Sequence, residues 1–347
     1  MKKCKGCGAV LQNTDKEQRG YTPVEDVDFC QRCFRINHYD DLTKSYKGDF
    51  DNFEILSSIN QTDGLILWVV DFFDFESNII SGLNRHLLNK DVILIGTKRD
   101  LLPDSIGNQK LLSFVQRRLK FHGIGVAEIL FVGDHGYDGR DQVLAAIDAY
   151  RKGRDVVIMG QANSGKSTLI NALTDSDITI SRYPGTTLDF ITIDMGDYKI
   201  FDTPGLIRVD NIQYYVDDKH LKQVIPSKVK PIVYQVSRNT SFAIGGLVRV
   251  DVEVEEDASV VFYVNNSLKI HRGSLEKADE LWDKHYGELL SPIASGDFKF
   301  TPDLRITSNN FDVVINGLGF VSFKGEVKSV KVKVSSEVAV IVREGLL

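Results

Sequence analysis

Residues 155–168 read D-V-V-I-M-G-Q-A-N-S-G-K-S-T. The run Val156 to Met159 is short, apolar and rich in β-branched side chains, as expected of a strand buried in a parallel sheet. Gly160-x-x-x-x-Gly165-Lys166-Ser167 follows, and Leu169, Ile170 and Leu173 then recur at helical spacing. Strand, glycine-bounded loop and helix together separate a phosphate-binding loop from a glycine-rich turn with a chance lysine. Phosphates need several backbone N–H donors converging at a helix N-terminus. Gly160 and Gly165 let the backbone turn and approach closely, Lys166 can reach the β and γ phosphates, and the Ser167 hydroxyl can ligate Mg2+. Asn163, Ser164 and Thr168 complete the loop expected against a nucleotide.

Downstream, Ser181-Arg-Tyr-Pro-Gly-Thr-Thr187 offers threonines whose hydroxyl or carbonyl can meet Mg2+, Thr187 foremost. Two strands are expected over 188–194 and 198–201, ending at Asp202-Thr203-Pro204-Gly205. A carboxylate at a strand end can hold Mg2+ through water, and the Gly205 N–H can contact a γ-phosphate. D-x-x-G alone is an ordinary strand-terminal turn. It gains meaning from standing 42 residues after Gly160 and after a Thr-Thr pair.

Upstream, a helix through Phe53, Ile55, Leu56 and Ile59 leads into Gly64-Leu-Ile-Leu-Trp-Val-Val-Asp71, apolar enough for a central strand. A loop over 72–77 and a helix over 79–88 are expected next. Asp91-Val-Ile-Leu-Ile-Gly96 is a second buried strand, with Thr97-Lys98-Arg99-Asp100 just beyond its carboxyl end, where open α/β sheets bind ligands. A carboxylate at Asp100 can accept both N1–H and N2–H of guanine, a pairing adenine does not offer, while Lys98 can lie along the base. T-K-x-D is a weak motif alone and gains its meaning from the strand before it and the phosphate loop elsewhere in the chain. Asn is the usual first residue, so Thr97 is expected to remove a bracing amide and weaken affinity. A helix over 111–119, a strand over 127–132, the loop Gly133-Asp134-His135-Gly136 in the place of a base-contacting loop, and a helix over 143–150 complete this half.

All four cysteines lie in the first 33 residues, as Cys4-x-x-Cys7 and Cys30-x-x-Cys33 with 22 residues between the pairs. In a reducing compartment two such pairs suit one tetrahedral Zn2+ better than two disulfides; unmetallated or redox cysteines are the competing assignment. The segment has few apolar residues and is expected to fold only with metal.

The whole chain of 347 residues is long enough for two or three domains. Composition is that of an ordinary soluble protein, with no apolar run of membrane-spanning length and no apolar signal segment after Met1-Lys2-Lys3, so a cytoplasmic location is expected. A net charge of -6 argues against a uniformly basic nucleic-acid binder while permitting a local basic patch. Such a patch is offered between Lys219 and Arg249, six Lys/Arg with no Asp or Glu, either a solvated face or a surface for RNA. Lys328 to Val334 alternates basic and apolar residues, putting Lys331 and Lys333 on one strand face. Strands are also expected over 232–236, 247–254, 259–264 and 338–342, and a helix over about 274–290.

The motifs are those of translation-factor-like GTPases in an unusual order, the guanine reader preceding the phosphate loop by about 60 residues. A parallel sheet tolerates such rearrangement when termini and linkers lie at the surface. The fold expected is therefore α/β: a circularly permuted P-loop GTPase domain over 49–211, an N-terminal four-cysteine zinc finger over 1–48, and a C-terminal mixed α/β domain over 212–347 that binds RNA or protein. With that finger, and with Gly245-Gly-Leu-Val-Arg-Val-Asp251, Ile270-His271 and Gly317-Leu-Gly-Phe320 further on, the chain resembles the YqeH family of bacterial ribosome-biogenesis GTPases. The resemblance covers nearly the full length and is weakest at Gly133-Asp134. It implies a GTP-hydrolysing switch acting in maturation of the small (30S) ribosomal subunit; GTP/GDP and Mg2+ are the ligands expected, rRNA or ribosomal proteins the partners expected, and a monomer without membrane contact is expected. A switch whose outer domains bind only protein in a non-ribosomal process is the alternative, and a GTP-binding module without turnover is a third class. Leu206 occupies the place where Ras-like proteins carry a water-orienting Gln. In related GTPases with an Asn at the position of Asn163, its side-chain oxygen helps bind K+ beside the β and γ phosphates. Here it either does so or merely braces the loop, and intrinsic turnover is expected to be slow.

Overall fold

The computed structural model describes residues 2, 10–14, 20–24, 26–27, 30, 52–133, 139–174, 180–182, 190–302 and 304–346. Cys4, Cys7, Cys33, Thr187 and the stretch Asp134-His135-Gly136 lie outside the described residues.

Seven strands form the first sheet: β1 (Leu65–Asp71), β2 (Val92–Thr97), β3 (Glu128–Phe131), β4 (Val156–Gly160), β5 (Ile180–Arg182), β6 (Ile191–Asp194) and β7 (Lys199–Asp202). Their order is β3-β2-β1-β4-β7-β6-β5. The first five are parallel, and β6 and β5 add antiparallel to β7. β1, β2 and β4 are buried along their whole length, which is why they read as continuous apolar runs. Alternate side chains serve opposite faces. Leu67, Val69, Val156 and Ile158 pack under α3 (Arg140–Arg151) and α4 (Lys166–Leu173) through Val143, Ile147, Leu169 and Leu173. On the other face, Ile66, Trp68, Val157 and Met159 meet Ile55 and Ile59 of α1 (Asn52–Gln61) and Phe114 and Val115 of α2 (Asn108–Phe121). The helix expected over 79–88 shrinks to the single turn Leu83–His86, entered through Gly82 at φ 70, and a second turn, Phe75–Asn78, begins within the loop expected over 72–77.

The chain runs outward from β1 through β2 to β3, then returns to set β4 beside β1. The sheet order therefore reverses between β1 and β4, and the carboxyl ends of parallel strands at such a point form the ligand crevice of an open α/β sheet.

The second sheet holds β8 (Ile232–Val236), β9 (Thr240–Ile244), β10 (Val248–Val264), β11 (Ile270–Ser274), β12 (Phe298–Phe300), β13 (Asn310–Ile315), β14 (Gly319–Ser335) and β15 (Val340–Glu344). Among the described residues two short α-helices accompany it, α5 (Asp218–Val224) and α6 (Ala278–His285), a smaller helical share than the mixed composition expected. The strands expected over 247–254 and 259–264 are one strand of 17 residues, carried through its acidic middle by register shifts around Val254. Antiparallel β10 and β14 form the spine, each bordered by different partners along its two halves.

One face of this sheet closes its own core, around Phe262, Val313, Val321 and Phe323. The other face lies on the first sheet's core. Tyr263, Phe320, Val314 and Ile341 form a row across four strands, and all four pack with Phe72, Phe73 and Phe75. The Phe320 ring lies 4.6 Å from Tyr263 and 5.5 Å from Phe73. Beside this row Arg343, Asp312, Glu76 and Arg118 form a chain of charges. Arg343 donates to Asp312 at 3.1 Å and lies 3.9 Å from Glu76, which pairs with Arg118 at 2.7 Å. Charges this deeply buried persist only when paired, so the chain fixes how the two sheets meet.

Candidate functional site

Four loops reach the crevice: residues 71–78 after β1, 97–101 after β2, 161–165 after β4 and 203–206 after β7. The phosphate loop is held from both sides. On one side the Thr97 hydroxyl donates to the Ser164 carbonyl at 2.5 Å, and the same side chain stands where a Cβ on Gly165 would come within 3.2 Å. Thr97, where an Asn amide is usual, thus braces the phosphate loop by its hydroxyl. On the other side Leu206 pairs with the loop as a strand does: its N–H donates to Gly160 at 3.1 Å and its carbonyl accepts from Ala162 at 3.0 Å. Leu206 is buried in the apolar core, so its role is to seat this segment.

The glycines are set by space. A Cβ on Gly160 would lie 2.5 Å from the Val69 carbonyl and 2.8 Å from Ser164 Oγ. On Gly205 it would lie 3.1 Å from Ala162 Cα and 3.2 Å from Lys166 Nζ. Gly165 at φ 95 turns the loop into α4, whose first turn carries Lys166 and the exposed Ser167 and Thr168. Asn163 holds φ 63, a left-handed conformation that Asn tolerates better than most residues. Lys166 Nζ donates to the carbonyls of Gly160 at 3.1 Å and Gln161 at 3.3 Å. Burial draws its pKa below the ordinary lysine range, and the charge of Asp202 opposes that.

Asp202 ends β7 opposite Ile158 of β4. Burial pushes its carboxyl up to about 6, with Lys166 acting against the rise. Its Oδ1 and the Ser164 Oγ are buried and have no hydrogen-bond partner among the described residues. A deeply placed carboxylate oxygen without a donor, beside a helix N-terminus and a backbone cradle that excludes Cβ atoms, fits a hard divalent cation and a phosphate group. Ser167 and Asp202 are the described residues that would hold Mg2+, which when bound would neutralise phosphate charge.

At the other end of the crevice Lys98, at φ 55, opens the turn Arg99–Leu101. Arg99 donates to Asn108 and to the Leu102 carbonyl, each at 3.4 Å, which anchors the turn to α2 and leaves Asp100 exposed. The Lys98 ammonium lies 2.6 Å from Asp71. Sequence reasoning passed over Asp71, since a lone carboxylate at the end of an apolar run has no spacing partner, although Asp202 stands in the same relation to β7. It also passed over Asn52, whose side chain accepts from Ile207 N–H at 2.9 Å and donates to its carbonyl at 2.7 Å. Cys30, the one described cysteine, is buried, and among the described residues no three His, Cys, Asp or Glu side chains gather as a metal cluster.

The Bacillus subtilis (strain 168) protein YqeH is 36% identical over 361 residues, covering 99% of each chain. This chain belongs to the YqeH family. The model for the YqeH-like C-terminal region matches residues 257–346, and that for the 50S ribosome-binding GTPase matches 155–272. The latter match begins at the phosphate-loop strand and leaves out 97–100, as a permuted order requires. The Arabidopsis thaliana NO-associated protein 1, chloroplastic/mitochondrial, is 26% identical across 92% of this chain and 69% of its own. The GDP-bound structure of TM YlqF overlaps 43% of this chain and 56% of its own at 21% identity, with a TM-score of 0.31. The YqeH-family chain described here is a P-loop GTPase, an enzyme that binds and hydrolyses GTP.

The raised Asp202 carboxyl has a thermodynamic consequence. A carboxyl whose folded pKa exceeds its unfolded value of 3.8 binds more protons when folded, so its contribution favours the folded state at low pH and is lost as the pH rises through about 6. The stability of the nucleotide-free wild type relative to Asp202→Asn should fall between pH about 4 and about 6, by an amount on the order of 2 kcal/mol. Mg2+-dependent GTP affinity should drop about tenfold or more in the variant, equivalent to about 1.4 kcal/mol. Thermal unfolding across that pH range checks the first, and a relative stability that rises instead contradicts the assignment.

Proposed function

We propose that this GTPase is a nucleotide-controlled switch that assists maturation of the small (30S) ribosomal subunit, contacting rRNA or ribosomal proteins through its C-terminal region. The observation that carries the proposal is the acid-free stretch over 219–238, where Lys219, Lys222, Lys228, Lys230 and Arg238 are all exposed. Clustered cations gain affinity for a phosphate backbone by releasing its counterions. Arg249, counted with them in the sequence, is buried and bound to Asp251 and Asp279 and plays no part in this surface. Lys331 adds an exposed cation on β14, while Lys333 lies over the Trp282 ring at 5.5 Å. The stretch begins 14 residues beyond Gly205. Between them Arg208 donates to the carbonyls of Ser77 and Ile79, and Ile212 N–H donates to Asn316 at 2.9 Å. A change at Gly205 therefore has a short covalent route to the basic surface.

In this reading Asp100 accepts the guanine edge beside Thr97 and Lys98. Gly160, Asn163, Ser164, Gly165, Lys166, Ser167 and Thr168 surround the phosphates, Asp202, Ser167 and Thr187 serve Mg2+, and the Gly205 N–H meets the γ-phosphate. Cys4, Cys7, Cys30 and Cys33 bind one zinc ion in a finger over about 1–48. The protein works as a monomer in the cytoplasm, and among the described residues no helix is long and apolar enough to cross a membrane. Leu206 has no polar group to orient water; the Asn163 side-chain oxygen would help hold a K+ ion beside the β and γ phosphates, whose charge would offset the one developing on the phosphoryl group.

Three measurements test this reading. The protein should co-sediment with 30S subunits in a non-hydrolysable GTP analogue and Mg2+ more than in GDP, and reversing the charge of Lys222, Lys228 and Lys230 should abolish it. Equal sedimentation in both nucleotides, or none, favours a switch with purely protein partners elsewhere. Elemental analysis should find one zinc per chain, and less than about half a zinc in metal-replete protein refutes the finger. GTP turnover at matched ionic strength should be faster in KCl than in NaCl and lose that difference in Asn163→Ala; equal wild-type rates dispose of the ion.

A further inference from the structure

Asp71 closes β1 directly opposite Thr97, and its carboxylate is divided between two tasks. Oδ2 lies 2.6 Å from Lys98 Nζ, with the two side chains 7% and 24% exposed. Oδ1 accepts from the N–H groups of Phe73 at 2.9 Å and Asp74 at 3.3 Å, which fixes the start of the loop 71–78. Asn78 ties the same loop shut, accepting from Asp71 N–H at 3.3 Å and donating to the Asp74 carbonyl at 2.9 Å. Lys98 has a backbone in the left-handed region and a long side chain with much rotamer freedom to lose. A partly buried carboxylate at ion-pair distance removes that freedom in advance.

We infer that Asp71 is a positioning residue of the guanine site, holding Lys98 in place for the base, and that the loop 71–78 joins this positioning to the docking of residues 316–320. The far side of the loop carries the second half of the inference. Asp74 Oδ2 accepts from Gly317 N–H at 2.9 Å, and Phe73 lies against Phe320. Gly317, at φ 80, leaves no room for a Cβ, which would fall 1.9 Å from Asn211 Oδ1, so only a glycine can bring its N–H to Asp74 here. Burial, together with the Asp71 charge, pushes the Asp74 carboxyl up to about 7, consistent with a packed joint that excludes water. One loop thus touches the base-reading lysine at one end and the C-terminal sheet at the other.

The inference rests on Lys98 and Asp100 being the guanine reader, and the experiment separates the two. GDP affinity of the full-length protein is measured with a fluorescent guanine nucleotide for Asp100→Ala, Asp71→Asn, Lys98→Met, the double variant Asp71→Asn/Lys98→Met, and Asp74→Ala. Asp71→Asn should weaken GDP about tenfold, equivalent to about 1.4 kcal/mol, and the double variant should be no weaker than Lys98→Met alone, because Asp71 acts through Lys98. The melting temperature of the nucleotide-free protein should stay close to wild type in Asp71→Asn, since the amide keeps an acceptor for Phe73 N–H. Asp74→Ala should weaken GDP about threefold although it touches no part of the base site, a coupling of about 0.7 kcal/mol. Losses that add in the double variant, or a lowered melting temperature with unchanged affinity, assign Asp71 a structural role only and overturn the inference. Unchanged affinity in Asp74→Ala overturns its second half. If Asp100→Ala binds GDP like the wild type, the guanine reading itself fails.

Discussion

The phosphate loop is clasped between two segments that are far apart in sequence: the Thr97 hydroxyl on the Ser164 carbonyl, and the backbone of Leu206 on Gly160 and Ala162. A loop whose N–H groups are to be aimed at phosphate satisfies few of its own carbonyls, here that of Gln161 from Ser164 N–H at 3.2 Å, so much of its shape is imposed by the segments around it. Both clasps come from the carboxyl ends of parallel strands flanking β4 at one or two removes. They depend on strand order in space and are indifferent to the order of the chain. This is why a permuted chain can rebuild a GTPase site: β2 precedes β4 in sequence, yet it delivers Thr97 to the same loop.

Permutation leaves the segment after Gly205 to run straight into the second sheet, and its contacts are dense. Leu206 pairs with the phosphate loop, Ile207 is gripped by Asn52, Arg208 reaches Ser77 and Ile79, and Ile212 pairs with Asn316. Asn52 begins α1, so this strip of backbone is held by α1 on one side and by the second sheet on the other. A displacement at Gly205 cannot be absorbed by a slack linker and must be shared with one of them.

Most of the first sheet was legible in the sequence because strands buried on both faces permit only apolar residues, as β1, β2 and β4 show. The phosphate-loop and D-x-x-G motifs were legible because chemistry fixes their spacing. What escaped had competing signals. The acidic run Glu255 to Asp257 falls in the gap between the two expected strands, yet register shifts carry β10 through it with those carboxylates exposed. The helix expected to reach 290 stops at His285, where Tyr286 turns extended and Gly287 adopts φ 79. Asp71 and Asn52 escaped because their partners lie 27 and 155 residues away and no local pattern marks them.

Amide hydrogen exchange of the full-length protein in GDP and in a non-hydrolysable GTP analogue, each with Mg2+, tests most directly whether the nucleotide site and the second sheet move as one mechanism. The account predicts that protection changes between the two states across 205–213 and also at 316–320, the segment that Ile212 and Asp74 hold. Changes confined to the phosphate loop and to residues up to Gly205, with 316–320 identical in both states, would contradict it.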